Sequence, residues 1–272
     1  MDEIDRFLEE DLNGEGDITS DALFTNEIAS AQIFAKKSCV LAGLEEAAVV
    51  FDRTGALLQK EKEDGSTVSD MDIVATINGS VKSILVGERL ALNIIGRMSG
   101  IATQTRKIVD LCHRINPKVN IAATRKTTPG FRKYEKKAVE LGGGKSHRFG
   151  LFDAVMIKDN HIAAKESFEE TIEIVLQKVS NKIIEVEVEN EDQAMQAAQM
   201  DVDVIMLDNF TPGKVREIAR KIRDINSSII IEISGGITPE NILDYVPVAD
   251  RISMGYLTHT IKNSDFSLEL VK

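Results

Sequence analysis

Residues 183–209, IIEVEVENEDQAMQAAQMDVDVIMLDN, decide the fold of this 272-residue chain. Ile183–Val188 alternates as a strand does, and Val204–Leu207 is a short apolar run of the kind buried on both faces of a parallel sheet. A helix fits between them. Strand, helix and strand in succession make a right-handed βαβ unit. Both strands also end on polar residues: Glu187 and Glu189 close the first, Asp208 and Asn209 the second.

Outward from this unit the same texture recurs every 20–30 residues from about residue 120. Further strands are expected at Ile121–Thr124, Ala154–Ile157, Ile229–Ile233 and Arg251–Met254. Helix starts are marked by Ser167 with Glu170, a capping box, and by Thr211-Pro212 and Thr238-Pro239, each a hydroxyl before a first-turn proline. About six such units fall short of an eightfold barrel. The expectation is an open, incomplete parallel α/β barrel, with a doubly wound sheet as the alternative.

The N-terminal part reads as a mixed α/β domain. Ile4, Phe7, Leu8 and Leu12 have helical spacing, residues 30–42 read as a strand and Leu44–Phe51 as a helix. Asn78-Gly79 between Asp72–Ile77 and Val81–Val86 predicts a hairpin. A helical pattern from Glu88 to about Ile115 carries a predicted break near Ser99-Gly100. The expected domains are 1–105, the N-terminal α/β unit, and 106–272, the barrel, with a C-terminal tail that packs back on the first.

Composition narrows the function. A net charge of −11 and a pI near 5.0 argue against a general nucleic-acid binder, which needs a basic face. The acidic start MDEIDRFLEEDL matches neither a signal nor a transit peptide, and no apolar run approaches the roughly 20 residues that span a bilayer. Cys39 and Cys112 match no metal spacing and read as reduced thiols of a cytoplasmic protein.

Against this acidic background, residues 125–158 hold nine Lys or Arg and three acids, a local net charge of +6. Cations gathered against the overall trend point to a polyanionic ligand. They sit at strand exits: Arg125 and Lys126 after the first strand, Lys158 with Asp159 after the second. Ser234-Gly235-Gly236 and Gly255 follow the last two. In parallel α/β folds these ends converge on one face, where sites are built.

Each signal has a plainer reading. Gly142-Gly143-Gly144 serves either a helix end or a ligand's close approach, and the second is favoured. Ser234–Gly236 is either a βα turn or a phosphate cradle before a helix, and the cradle is favoured. Glu185, Glu187 and Glu189 share a strand face, so Glu187 is expected at the mouth with Glu185 deeper and paired to a lysine or arginine. Lys133, Lys136 and Lys137 read as a solvated helix face. His147, beside Arg148, is more suggestive than His113 or His259.

The ordered motifs RKTTPG, GGGKSHRFGLFDAVMIKDNHI, EVEVEN, IMLDN, SGGI and MGYLTH, preceded by GDITSD and ERLALNIIGRMSGIAT, resemble quinolinate phosphoribosyltransferase over essentially the whole chain. The resemblance implies an N-terminal α/β domain, an open barrel of about seven strands, and a homodimer with a shared active site. It implies decarboxylating transfer of a phosphoribosyl group from phosphoribosyl pyrophosphate to quinolinate, with Mg²⁺. By motif, Arg125, Arg148 and Lys158 would hold the quinolinate carboxylates, with Thr124, Lys126, Arg132 and His147 beside them. Arg89 would come from the other subunit. Glu187 and Asp208 would bind ribose and Mg²⁺, directly or through water. Ser234, Gly235, Gly236, Met254, Gly255 and Tyr256 would take the 5′-phosphate. Lys126, Lys158, Glu187 and Asp208 are the expected catalytic groups. Three rivals remain at this point: a phosphoribosyltransferase for another heteroaromatic acid, a Schiff-base aldolase using Lys158, and a non-catalytic phosphate-ligand sensor.

Overall fold

The computed structural model describes residues 3–165 and 167–271; Met1 and Asp2 of the acidic start lie outside them. The chain opens with α1 (Glu3–Leu12), α2 (Ile18–Leu23), β1 (Ile28–Ala35), β2 (Cys39–Val40), α3 (Leu44–Thr54), β3 (Leu57–Lys60), β4 (Thr67–Val68) and β5 (Ile73–Ser80). The long α4 (Val81–His113) leads to β6 (Asn120–Ala122), α5 (Arg132–Leu141), β7 (Val155–Ile157), α6 (Asp159–Ala163) and α7 (Phe168–Lys178). Then come β8 (Ile184–Val188), α8 (Glu191–Ala198), β9 (Val204–Asp208), α9 (Pro212–Ile225) and β10 (Ile230–Ser234). A 3₁₀ turn (Ile242–Asp244), β11 (Arg251–Ser253), α10 (Tyr256–His259) and β12 (Phe266–Val271) complete it.

Contacts divide the chain into two units. Residues 3–106, 128–143 and 260–271 form the first, and Lys107–Thr127 with Gly144–His259 the second. The first holds an antiparallel sheet of order β12-β1-β5-β3. Alternation along β1 buries Ala31, Ile33 and Ala35, and Phe51, Ile77, Ile95 and Met98 are also fully buried in this unit. Each large apolar side chain buried this way stabilises the fold by about 1.5–3 kcal/mol.

Two local expectations fail here. Asn78-Gly79 makes no hairpin: both residues lie inside β5, where Asn78 pairs with Ser30 and Leu57. The chain turns into a helix instead, because Ser80 Oγ accepts the Ser83 N–H at 3.0 Å and Val81 and Ile84 bury one helical face. Nor does α4 break at Ser99-Gly100. Ser99 Oγ is satisfied by the Ala42 N–H (2.9 Å) and carbonyl (3.1 Å), and a Cβ on Gly100 would lie 2.5 Å from the Lys262 carbonyl oxygen. These residues let neighbouring backbone approach an unbroken helix.

On α5 the expected solvated face is wrong for Lys136, which is 1% exposed, while Lys137 pairs with Glu45 at 2.5 Å and Glu46 at 2.8 Å. The neighbouring Glu135 is fully buried. It accepts from Arg97 (Nη2 at 2.8 Å) and from the Thr128 amide and hydroxyl at 3.2 and 3.0 Å. Two of the three glycines after α5 serve its end: the amides of Gly142 and Gly143 bond back to Ala138 (3.0 Å) and Glu140 (2.8 Å).

The second unit is the open parallel α/β barrel. Its sheet has the order β6-β11-β10-β9-β8-β7, all neighbours parallel. Lys145 adds a single bridge to Ala122 on the free side of β6, so a seventh position is occupied by one residue. Ser167 caps α7 by accepting the Glu170 N–H at 3.3 Å, and Pro212 opens α9. The helix expected after Thr238-Pro239 is absent among the described residues. Only the 3₁₀ turn follows, since Asn241 Oδ1 takes the Thr238 N–H at 2.9 Å and closes a tight turn.

Candidate active site

Parallel register brings the strand exits of the second unit together. Glu187 pairs with Met206, and Ser234 with Asp208, so β8, β9 and β10 deliver Glu187, Asp208 and Ser234 on one sheet face at one end. Lys158, just beyond β7, donates to Glu187 Oε2. Lys158 Nζ is thus engaged by a carboxylate rather than free to meet a substrate carbonyl, which removes the support for the Schiff-base reading.

At the other side of the sheet, Thr124 Oγ1 accepts the Lys126 N–H at 3.1 Å, and the Lys126 carbonyl accepts from Thr258 Oγ1 at 2.7 Å. A Cβ on Gly255 would meet the His259 ring at 2.8 Å and Lys126 Cδ at 3.0 Å, so the Lys126 side chain runs alongside Gly255. Met254 is buried, and its backbone is engaged: its N–H bonds the Ala122 carbonyl at 3.0 Å and its carbonyl accepts the Leu257 N–H at 3.4 Å. Tyr256 is half-buried at the start of α10. Arg125 and Arg148 form a like-charged pair. Burial first, then the Arg125 guanidinium, lowers Arg148 from the usual arginine range. Arg125 Nε is buried with no partner. Half-buried guanidiniums that repel each other are what an anion would relieve.

The glycine turn after β10 is shaped by its neighbour. Gly235 and Gly236 take φ of +87° and +58°, and Asn209, just past β9, takes +59°. The Asn209 N–H bonds the Ser234 carbonyl at 3.0 Å, while its side-chain amide donates to Asp208. The amides of Gly235 and Gly236 have no acceptor among the described residues. Successive amides in such a turn make an anion nest without a long helix behind them. Arg89 on α4 and Arg132 at the start of α5 both belong to the first unit.

Below these exits lies a buried charged group. His147 Nε2 is 3.2 Å from Glu232 Oε2 and 3.3 Å from Glu185 Oε2. Arg251 Nη2 bonds Glu185 at 3.2 Å, its Nε bonds Glu232, and Ser253 Oγ donates to Glu232 Oε1. The expected basic partner of Glu185 is therefore Arg251, joined by His147. Burial opposes charge on His147, but the two carboxylates prevail and raise it from 6.5 to about 8. Burial raises Glu185 above the usual carboxylate range. It pushes Glu232 the same way, yet His147, Arg251 and Ser253 together lower it. Glu232, Arg251 and Ser253 escaped the sequence reading. The available signal was Glu232 standing alone among isoleucines in β10.

The whole chain can then be set beside known proteins. Residues 17–99 match the N-terminal domain and residues 101–269 the C-terminal domain of quinolinate phosphoribosyl transferase. A probable nicotinate-nucleotide pyrophosphorylase [carboxylating] of Archaeoglobus fulgidus is 45% identical, over 94% of this chain and 99% of that one. The Homo sapiens nicotinate-nucleotide pyrophosphorylase [carboxylating] is 36% identical over 98% of this chain and 90% of its own. The crystal structure of NadC from Streptococcus pyogenes superposes with a TM-score of 0.89 at 37% identity, covering 99% and 97% of the two chains. Both domains match in order and relatives align end to end: this chain belongs to the quinolinate phosphoribosyl transferase family.

Proposed function

We propose that the chain converts quinolinate and phosphoribosyl pyrophosphate into nicotinate mononucleotide, pyrophosphate and CO₂, a step of NAD biosynthesis. The observation that carries this reading is the Arg125–Arg148 pair, with its buried unpartnered Nε, in the unit where Lys158 meets Glu187. A dicarboxylate and a diphosphate ester need many cations, and a developing sugar cation needs carboxylates.

In this reading Arg125, Arg148 and Lys158 hold the two carboxylates of quinolinate, flanked by Thr124, Lys126 and His147. Held so, the pyridine nitrogen faces the anomeric carbon, and its lone pair forms the new C–N bond as the C–O bond to diphosphate breaks. Positioning and electrostatics, with no covalent enzyme intermediate, lower the barrier. Glu187 and Asp208 face the ribose hydroxyls and stabilise positive charge on the sugar. The turn at Ser234, Gly235 and Gly236 and the amides of Gly255 and Tyr256, beside Met254, hold the 5′-phosphate. Once the ring nitrogen is quaternary, the adjacent carboxylate leaves as CO₂, and the carbanion beside the cationic nitrogen takes a proton.

Glu187 and Asp208 also fit Mg²⁺: both are hard oxygen donors, both half-buried, on adjacent strands. The His147, Glu185 and Glu232 cluster does not, because Arg251 already bonds both carboxylates. Mg²⁺ bound with the diphosphate supplies charge neutralisation for the leaving group. We further place the enzyme in the cytoplasm as a homodimer, with Arg89 of the partner subunit completing each site. Buried, unpaired Cys39 and Cys112 support a reducing compartment.

The test is to mix the purified protein with quinolinate, phosphoribosyl pyrophosphate and Mg²⁺ and follow nicotinate mononucleotide by absorbance. Turnover that stops with chelator and resumes with added Mg²⁺ is expected. Equal turnover of nicotinate in place of quinolinate would refute the substrate assignment.

A further inference from the structure

The buried charges under the strand ends have no place in the reaction just described, yet they hold one member of the proposed quinolinate subsite. We infer that Glu232 is a positioning residue: with Glu185 and Arg251 it grips His147 through Nε2 as an imidazolium, leaving Nδ1–H for a carboxylate of the substrate. This deepens the functional reading above and rests on it for the identity of that substrate.

Hydrogen-bond chemistry fixes the first half. Nε2 lies 3.2 and 3.3 Å from oxygens of two carboxylates, and ionised carboxylates only accept, so Nε2 carries a hydrogen. Nδ1 has no partner among the described residues. In the neutral ring Nδ1 would be an acceptor and would repel a substrate carboxylate; in the imidazolium it is a donor.

Charge balance fixes the second half. The side chains of Glu185 and Glu232 are 2% and 0% exposed, and among the described residues Arg251 is the one fixed cation bonded to both. A neutral His147 would leave one uncompensated buried negative charge, whereas the imidazolium closes the balance. Among the described residues the charged groups around the ring are Glu185 from β8 and Glu232 from β10, with Arg251 from β11 bonded to both carboxylates. Along its own segment stands Arg148, which senses Arg125, Glu185 and Glu187. The backbone agrees. His147 takes φ of +55°, a left-handed conformation that strains a residue with a Cβ and persists where contacts over-determine it. The two carboxylates overcome burial and raise the imidazole from 6.5 to about 8, which points the same way.

The experiment is a ¹⁵N NMR titration of the histidine rings in the ligand-free protein, whose four histidines can be assigned by single substitutions. In the wild type, His147 should stay doubly protonated to about pH 8, with Nε2 keeping its hydrogen above that. In Glu232→Gln, a volume-conserving change, the midpoint should fall toward 6.5. At pH 7.5 about three-quarters of wild-type rings but only about a tenth of the variant's would then be charged, so the quinolinate KM should rise about eightfold with kcat little changed. A merely structural role would lower thermal stability without moving either midpoint. A wild-type midpoint at or below 6.5, or an unmoved midpoint in Glu232→Gln, overturns the inference. A wild type that titrates near 8 but turns over no quinolinate would refute the substrate and leave the grip on His147 standing.

Discussion

Replacing Gly235 by alanine tests the geometry of the strand exits against its neighbour as an internal control. A Cβ at Gly235 would lie 2.3 Å from Asn209 Oδ1 and 2.6 Å from the Asn209 backbone nitrogen. The side chain could swing away; the backbone nitrogen cannot, because its N–H holds the Ser234 carbonyl at 3.0 Å. The left-handed conformation costs alanine about 1–2 kcal/mol and the overlap adds about 1–3 kcal/mol. Gly236 has a positive φ as well, but a Cβ there meets nothing within 4 Å, so Gly236→Ala should cost only the conformational part. We therefore expect Gly235→Ala to lose about 2–5 kcal/mol and Gly236→Ala about 1–2 kcal/mol in urea unfolding. Because displacing Asn209 also moves Asp208, the KM for phosphoribosyl pyrophosphate should rise in Gly235→Ala. If the two variants unfold within about 0.5 kcal/mol of each other, the close approach of β9 and β10 exits is refuted.

Arg125→Ala and Lys158→Ala should each lower kcat/KM about 10²-fold or more, measured at saturating Mg²⁺; near-wild-type kinetics would remove that residue from the site. Arg97→Met strands the fully buried Glu135 carboxylate with only Thr128, so a loss of about 3–5 kcal/mol is expected in chemical denaturation. His147 contributes to stability with a definite sign. Its folded pKa is raised, so its contribution is full below pH 6.5 and is lost as pH rises through about 8, a total of about 2 kcal/mol. Subtracting the unfolding free energies of His147→Gln from those of the wild type between pH 6 and 9 isolates that loss, and a flat difference would contradict it.

Much of this was legible before any coordinates. All six barrel strands follow from alternating or continuous apolar runs, because a strand's burial pattern is local. The polar residues ending them, from Arg125 to Gly255, follow equally from chain order. The misread elements are those where a distant partner decides. Asn78-Gly79 has hairpin chemistry, yet β1 and β3 pair straight past it. Ser99-Gly100 looks like a helix break until backbone from residues 42 and 262 comes to rest on it. Lys136 reads as solvated by composition and is buried by packing.

The parallel α/β architecture, the local excess of positive charge and the family can all be read along the chain, because periodicity, composition and ordered motifs are properties of sequence neighbours. That Arg251 and Glu232 flank His147, and that Arg125 crowds Arg148, emerges only once the chain is folded. Those pairings join residues more than twenty, and up to about a hundred, positions apart. Nothing local in the chain specifies which charge meets which; parallel register and burial select the partners, since an unpaired charge in that interior would be too costly to keep.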